Sequence, residues 1–188
     1  MKKIVLASSS PRRRELLSEL NIKFEIISPV FNEKEFELKP ESNSVEQLSL
    51  LKAKSISVNF SVSALIISAD TVVISDNKIL GKPKDRQDAF NMLKELSGKT
   101  HSVITGIAVV DTETKKEYTS SATTFVTFNK LTDEDILNYI DTKKPFDKAG
   151  AYGIQELPDN FVEKIDGDFD NVVGLPTKIL IKMLNSVN

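Results

Sequence analysis

The 188-residue sequence contains no cysteine and no tryptophan, and it has a single histidine, His101. Without thiols the chain cannot form disulfide scaffolds, Cys-ligated zinc sites, iron–sulfur clusters or a cysteine nucleophile. One imidazole excludes sites that need two, and any Ser-His-Asp triad would depend on His101 alone. An enzyme built from this sequence must therefore work with carboxylates, lysines, arginines and hydroxyls, which are the groups of metal-assisted phosphate chemistry.

The sequence also has little excess charge, with 25 Lys and Arg against 27 Asp and Glu and a net charge of −2. This balance gives no general attraction to nucleic acid or anionic membranes, and the lack of Trp further disfavours a nucleic-acid surface. We expect neither partner, so a local cluster of cations must meet any anionic ligand. No apolar run reaches the length of a membrane span or a signal-peptide core, so we expect a cytoplasmic protein.

Strand-like and helix-like patterns alternate along the chain, which predicts an α/β fold in one domain over residues 1–188. Strands are predicted near residues 4–7, 24–27, 64–74, 78–81, 101–110, 117–128, 152–155 and 161–165. Helices are predicted to start at Ser10, Ser44, Asp85, Thr132 and Pro176, with a capping box from Ser44 to Gln47, and residues 29–43 to form a loop.

Hydroxyls and arginines coincide at the first strand-to-helix turn, from Ser8 to Arg14. A helix N-terminus favours anions, so arginine there opposes the helix dipole and needs another reason. One interpretation is a polyphosphate site in which Arg12 or Arg13 acts as a bidentate clamp. The alternative is a solvated basic helix start.

Two charged residues interrupt apolar patterns. Lys52 falls on the core-facing stripe of the second helix, where it either extends its ammonium to solvent or points into a cleft toward phosphate or carboxylate. Asp70 interrupts a strand whose apolar density predicts burial, and a buried carboxylate requires a partner. That partner is either a structural salt bridge or the metal or proton of a catalytic site.

Other motifs are weaker on their own. Lys82 precedes Pro83, which restricts its backbone to extended conformations, and Glu33 lies in an acidic loop where nothing local distinguishes it. The segment Ser97 to Thr100 matches the tail of a P-loop but lacks the upstream glycine and follows a helix, so we reject it. We expect His101 to be structural. Glycines at 150, 153 and 174 mark turns that bring the backbone close to another element.

Taken in order, these motifs resemble those of the Maf family of nucleoside triphosphate pyrophosphatases, and they run along nearly the whole chain. They are Ser8-x-Ser10-Pro11-Arg12-Arg13, Lys52-Ala53-Lys54, Ala69-Asp70-Thr71-Val72-Val73, Gly81-Lys82-Pro83, Ser97-Gly98-x-Thr100-His101, Asp147-Lys148-Ala149-Gly150-Ala151-Tyr152-Gly153-Ile154-Gln155 and Val173-Gly174-Leu175-Pro176.

The resemblance implies an elongated mixed sheet flanked by helices, with two lobes and a central cleft, as in Maf and inosine-triphosphate-pyrophosphatase folds, and often a homodimer. It implies hydrolysis of a nucleoside triphosphate to the monophosphate and pyrophosphate with Mg²⁺ or Mn²⁺. By this resemblance, Asp70 is expected to act as the proton acceptor. The resemblance also implies a set of residues around the phosphates and metal, namely Ser8, Arg13, Glu33, Lys52 and Lys82, with Glu33 and Asp70 as the metal ligands.

Three positions resemble the specificity positions of the family, namely Arg12, Thr71 and Gln155. The branch that selects dTTP and UTP has Arg, Thr and Gln there, whereas the 7-methyl-GTP branch replaces the first Arg by Trp. A Gln amide matches the O4 and N3–H edge shared by uracil and thymine. The resemblance therefore implies a dTTP and UTP pyrophosphatase. The alternative is a non-catalytic nucleotide sensor that regulates cell division.

Overall fold

A seven-stranded mixed sheet with flanking helices forms the framework of the protein. The structure, a computed structural model, describes residues 2–32, 36–58 and 60–187. The strands are β1 Lys3–Leu6, β2 Glu25–Ile26, β3 Ala64–Ser75, β4 Lys78–Leu80, β5 Thr100–Asp111, β6 Glu117–Phe128 and β7 Val162–Asp166. The helices are α1 Pro11–Glu19, α2 Ser42–Ser57, α3 Arg86–Leu96, α4 Asp133–Lys143, α5 Phe169–Val173 and α6 Thr177–Ser186. The predicted α/β fold is confirmed. Within the described residues, no helix combines the length and apolar character needed to cross a membrane.

The sheet has the order β2-β1-β3-β5-β6-β7, and β4 pairs with β3 off this path. β1 is parallel to both β2 and β3, whereas β3 pairs with β4, and β6 with β7, in antiparallel fashion. A backbone hydrogen bond from Asp111 N–H to Lys116 O, 3.0 Å long, closes the turn between β5 and β6. β5 and β6, which are neighbours in the sheet, therefore form a hairpin.

The chain divides into two compact units, each with its own apolar core. The first unit contains Met1–Asp70, Thr105–Ala122 and Gly174–Asn188, and the second contains Thr71–Ile104 and Thr123–Val173. The core of the first includes Val5, Ala7, Ala53, Ile56, Ala64, Ile66, Ala108 and Val110. The core of the second is built around Leu93, Leu96, Phe128, Ile136, Tyr139, Ile140 and Phe161.

The backbone of α2 lies directly against β5 in the first unit. The buried face of α2 includes Val45, Leu48, Lys52 and Ile56, as the helical periodicity predicts. Gly106 on β5 makes this approach possible, because a Cβ atom there would lie 2.5 Å from the carbonyl carbon and oxygen of Val45. The missing side chain thus sets how closely α2 packs on the sheet.

The predicted capping box of α2 is wrong. The helix begins at Ser42 with Glu41 as N-cap, and it ends at Ser57. The Ser44 hydroxyl accepts a hydrogen bond from the upstream Lys39 N–H at 2.9 Å, so it does not cap the helix. A local sequence match cannot reveal that an upstream donor occupies the hydroxyl.

The strand predicted near residues 152–155 is also wrong, and α5 was not predicted. Two short 3₁₀ turns, Ala149–Ala151 and Ile154–Glu156, occupy the first region. Gly150 and Ala151 have φ angles of +66° and +60°, which no β-strand accommodates. The run of Gly and Ala therefore makes a tight bend rather than an extended segment.

We expect Gly106→Ala to lower the free energy of unfolding by about 1–3 kcal/mol, as overpacking of a close contact does. Urea denaturation followed by circular dichroism measures this change. Gly81→Ala is the matched control, because a Cβ atom there meets nothing within 4 Å. Equal unfolding free energies for the two variants would show that α2 does not depend on Gly106.

Candidate active site

The first two crossovers of the chain run in opposite directions along the sheet. The connection through α1 places β2 on one side of β1, and the connection through α2 places β3 on the other. In open parallel sheets, ligands bind outside the carboxyl ends of the strands at such a reversal. The carboxyl end of β1, beside β3, is therefore where topology alone predicts a binding site.

Ser8 lies at this point. Ala7 N–H donates to Ile67 O at 2.7 Å, so the parallel pairing continues past the end of β1. The register of β1 and β3, extended by two residues, places Ser8 level with Ala69 and next to the position of Asp70. Adjacent strands are about 4.8 Å apart. Ser8, just beyond the end of β1, and Asp70, on the neighbouring β3, thus come from adjacent segments of the sheet, and both are predicted site residues.

The start of α1 presents its arginines just beyond Ser8. Ser10 is the N-cap as predicted, but its hydroxyl caps no backbone N–H of the helix. Ser8 Oγ instead accepts a hydrogen bond from Ser10 N–H at 3.2 Å. Arg12 and Arg13 are half-buried, whereas Arg14 is exposed. The burial separates the two predicted site arginines from the third, which the sequence could not do.

Arg13 forms a hydrogen bond with the last predicted motif of the chain. Its Nε donates a hydrogen bond to the backbone oxygen of Gly174 at 2.8 Å. Gly174 has a φ of +123°, a backbone conformation that residues other than glycine rarely adopt. Gly174, between α5 and α6, thus brings its backbone oxygen to an arginine side chain.

Lys52 and Asp70 form an ion pair in which Lys52 Nζ donates to Asp70 Oδ1. Their side chains keep 8% and 14% of their exposure, so the ammonium does not extend into solvent. A second contact between β3 and α2 lies two residues earlier on the strand, where Ser68 Oγ donates to the backbone oxygen of Ser49. Residues 68 and 70 share one strand face and residues 49 and 52 one helix face, so both contacts fix α2 against β3.

The ion pair is the partner that a carboxylate on a buried strand requires. Asp70 nevertheless keeps a solvent-accessible fraction, unlike its fully buried neighbour Ser68. The pair is thus compatible with a structural role and leaves the carboxylate reachable from solvent. The roles of both residues in catalysis stay predictions.

A metal ligand set is only partly represented in the described residues. Among them, no group of three or more His, Asp or Glu side chains is arranged to hold a metal ion. Asp70 offers hard oxygen atoms, and Mg²⁺ commonly binds through one or two carboxylates together with substrate phosphates. Asp70 fits that mode as a single protein ligand. The second predicted ligand, Glu33, lies outside the described residues.

In the second unit, the turn that carries Lys82 is tied to the segment before Gln155. Gly150 N–H donates to Gly81 O at 3.0 Å, which joins the two predicted motifs. Lys82 itself is exposed, and Pro83 next to it is buried. A Cβ atom at Gly150 would lie 3.0 Å from the side chain of Val73 on β3, so this bend packs tightly on the sheet. Thr71, on the same strand, is half-buried.

Gln155 is exposed at the centre of the 3₁₀ turn Ile154–Glu156. The next residue, Glu156, forms an ion pair with a buried lysine. Lys148 Nζ lies 3.2 Å from Glu156 Oε2 and 2.9 Å from Asp147 Oδ1, and its side chain is 7% exposed. The lysine stem passes 2.9 Å from where a Cβ atom of Gly153 would be. Lys148 thus anchors the turn that presents Gln155.

His101 is structural, as predicted. It is 2% exposed, and its Nε2 lies 2.7 Å from the hydroxyl oxygen of Tyr152. Phe128 meets the imidazole edge to face at 5.0 Å between ring centroids. Burial lowers the pKa of His101 to about 4 and raises that of Tyr152, so both rings stay neutral near pH 7.

A family model described as Maf-like protein matches residues 3–187. The chain belongs to the Maf family. It is 52% identical to the dTTP/UTP pyrophosphatase of Alkaliphilus oremlandii (strain OhILAs) over 176 residues, which cover 94% of this chain and 91% of that one. The dTTP/UTP pyrophosphatase of Thermosipho melanesiensis is 54% identical over 173 residues, covering 92% and 91% of the two chains.

Among solved structures, a nucleoside-triphosphatase / dITP/XTP pyrophosphatase from Mycobacterium abscessus overlaps with a TM-score of 0.46 at 17% identity. The overlap covers 69% of this chain and 75% of that one. A likeness at this level adds nothing to the Maf assignment.

The structure of this Maf chain also assigns contacts that the sequence did not predict. Gly174 holds Arg13, Lys148 holds the Gln155 turn, and Ser68 fixes α2 beside Lys52. The signals available were a glycine before Leu-Pro, a lysine inside an apolar and glycine-rich stretch, and a serine two residues before Asp70. Each marks a special position, but none names the residue it contacts.

We expect acidification to destabilise this Maf protein through His101. The unfolded imidazole titrates near pH 6.5 and the buried one near 4, so the unfolded state binds the proton first as the pH falls. The contribution of the neutral imidazole to the free energy of unfolding is fully present well above pH 6.5. About 2 kcal/mol of it is lost between pH 7 and pH 5. Urea titrations at several pH values measure this slope. The His101→Gln variant should lack it, and an unchanged slope in that variant would contradict the assignment.

Proposed function

We propose that this protein is a nucleoside triphosphate pyrophosphatase that hydrolyses dTTP and UTP to the monophosphate and pyrophosphate. The observation that carries this proposal is the Lys52–Asp70 ion pair beside the carboxyl end of β1, next to an arginine-rich helix start. Relatives named dTTP/UTP pyrophosphatase share about half of all residues over more than 90% of both chains. That coverage supports transfer of the activity to this chain.

The triphosphate binds at the start of α1. Backbone N–H groups and the helix dipole favour an anion there, and the Ser8 hydroxyl lies at the same end. Arg12 and Arg13 supply the positive charge, and a guanidinium can donate two parallel hydrogen bonds to one phosphate group. This arrangement provides the local cation cluster that a chain of net charge −2 requires.

Hydrolysis proceeds by in-line attack of water on the α-phosphorus. Asp70 orients the water and accepts its proton, while the bond from the α-phosphorus to the bridging oxygen of the pyrophosphate breaks. Lys52 holds the carboxylate through Oδ1, which fixes its direction. Arg13, Lys52 and Lys82 neutralise the charge that develops on the leaving pyrophosphate. The chemistry is thus mostly positioning and electrostatics.

A divalent cation, Mg²⁺ or Mn²⁺, belongs to this proposal. Asp70 and Glu33 would hold it through carboxylate oxygens, and it would supply charge neutralisation at the phosphate oxygens. Without such a cation, carboxylates beside a triphosphate would repel it. No observation in the described residues favours the alternative of a non-catalytic sensor that regulates cell division.

The base is selected by Thr71 and Gln155, with Arg12 as the third specificity residue. Gln155 is exposed on a turn whose position is fixed by Lys148, so its amide can meet the edge of a pyrimidine. Uracil and thymine share the O4 acceptor and N3–H donor that one amide can satisfy. Cytosine reverses this pattern, which leaves a polar group unpaired. We also propose a cytoplasmic location, as expected from the sequence pattern, and a homodimer, which the family resemblance implies.

A product assay tests the proposed activity. UTP and dTTP with Mg²⁺ or Mn²⁺ should give monophosphate and pyrophosphate, and Asp70→Asn should lower turnover about 100-fold or more while still binding nucleotide, as loss of a general base does. Asp159→Asn, which changes an exposed carboxylate, is the matched control and should retain full activity. Release of orthophosphate, or near-normal turnover by Asp70→Asn, would contradict this mechanism.

We expect Gln155→Glu to lower the ratio of kcat/KM for UTP over CTP by about tenfold or more, because the carboxylate lacks the amide donor. The same variant should unfold at nearly the same urea concentration, since the side chain is exposed. Gln87→Glu on the exposed face of α3 serves as the control for the added charge. A substrate ratio equal to that of the control would remove Gln155 from base recognition.

A further inference from the structure

The hydrogen bond between Arg13 and Gly174 joins residues that are 161 positions apart in the chain. We propose that Gly174 is a positioning residue for hydrolysis, whose backbone carbonyl orients the Arg13 guanidinium toward the polyphosphate. This role rests on the proposed function.

The contact restricts the orientation of the guanidinium. Arg13 Nε donates to Gly174 O at 2.8 Å, which is a normal length for an N–H···O hydrogen bond. The guanidinium is planar and rigid, so a directed bond at Nε restricts the directions in which its two terminal nitrogens can point. Those nitrogens form the edge that binds phosphate in a bidentate way. A carbonyl at Nε therefore acts as a guide for the phosphate-binding edge.

The carbonyl is itself held by a backbone that favours glycine. Gly174 has a φ of +123°, outside the range that other residues adopt without strain. Leu175 after it is fully buried, and Pro176 is the N-cap of α6, whose Leu180 is also fully buried. The direction of the Gly174 carbonyl is thus set on its C-terminal side by a buried and rigid segment.

The contact also accounts for an arginine at an unfavourable place. Arg13 lies in the first turn of α1, where a positive charge opposes the helix dipole. The partial negative charge of the Gly174 oxygen compensates part of this cost in the absence of substrate. Arg14, one residue later, is exposed. Ser18 Oγ donates a hydrogen bond to the backbone oxygen of Arg14. Among the contacts of the described residues, no carbonyl orients the Arg14 guanidinium in the way that Gly174 orients that of Arg13.

A double-mutant cycle tests the proposal. Gly174→Ala and Arg13→Lys are each expected to lower kcat/KM for UTP by about tenfold or more, because a lysine keeps the charge but lacks the planar fork. The double variant should be no more than about threefold worse than Arg13→Lys alone, since both changes remove one interaction. A purely structural role would not produce this coupling.

Gly167→Ala is the matched control for strain. Gly167 has a φ of +134°, and a Cβ atom there would lie 2.7 Å from Thr124 Oγ1. This variant should lose stability in urea but retain kcat/KM at a temperature where it is folded.

Three results would overturn the role of Gly174: additive effects in the double variant, a folded Gly174→Ala protein with normal kcat/KM, or normal kcat/KM for Arg13→Lys. The last comparison decides the matter if Gly174→Ala does not fold. A wild-type protein that hydrolyses no nucleoside triphosphate would instead overturn the proposed function itself, and this role with it.

Discussion

The first unit depends on how closely α2 can approach the sheet. Gly106 leaves room for the backbone of Val45, and the helix then lies near enough for its next turns to contact β3. Ser68 reaches a helix carbonyl, and Asp70 reaches Lys52, because both strand residues face the same helix. An ammonium on the buried side of a helix is tolerated because the carboxylate is there to meet it. A missing side chain on one strand thereby determines a charged contact on another.

A second constraint comes from the end of the chain. The turn at Gly174 brings a backbone oxygen to the first helix, so the beginning and end of the sequence both contribute to the proposed phosphate site. In the second unit, Lys148 and Gly150 have a similar function for the turns that carry Gln155 and Lys82. In each case a backbone or buried group that does not meet substrate fixes one that is proposed to do so.

Much of the fold follows from local chemistry. The side chains of Asp85 and Thr132 cap their helices by accepting a hydrogen bond from the backbone N–H three residues later, as helix N-caps do. Asp76 and Asn77 adopt the positive φ angles of a tight hairpin turn. The failures are also local. Ser44 matches a capping pattern but accepts a bond from upstream, and the stretch before Gln155 bends where its apolar residues suggested a strand.

The candidate site divides in the same way. Periodicity places Lys52 on the buried face of α2, and apolar density marks Asp70 as anomalous, yet neither pattern states that these two residues meet. Burial distinguishes Arg12 and Arg13 from Arg14, although the sequence alone gives no reason to separate these three consecutive arginines. Such facts depend on contacts between residues far apart in the chain, and one sequence carries no record of those distances.

The buried imidazole of His101 has a practical consequence. Because the chain has a single histidine, its ring protons give one isolated set of resonances in a proton NMR spectrum. The ring lies in the core of the second unit, against Phe128 and Tyr152, so those resonances are shifted by the aromatic ring currents. The native protein thus contains its own spectroscopic label, which reports the opening of that core without any added probe.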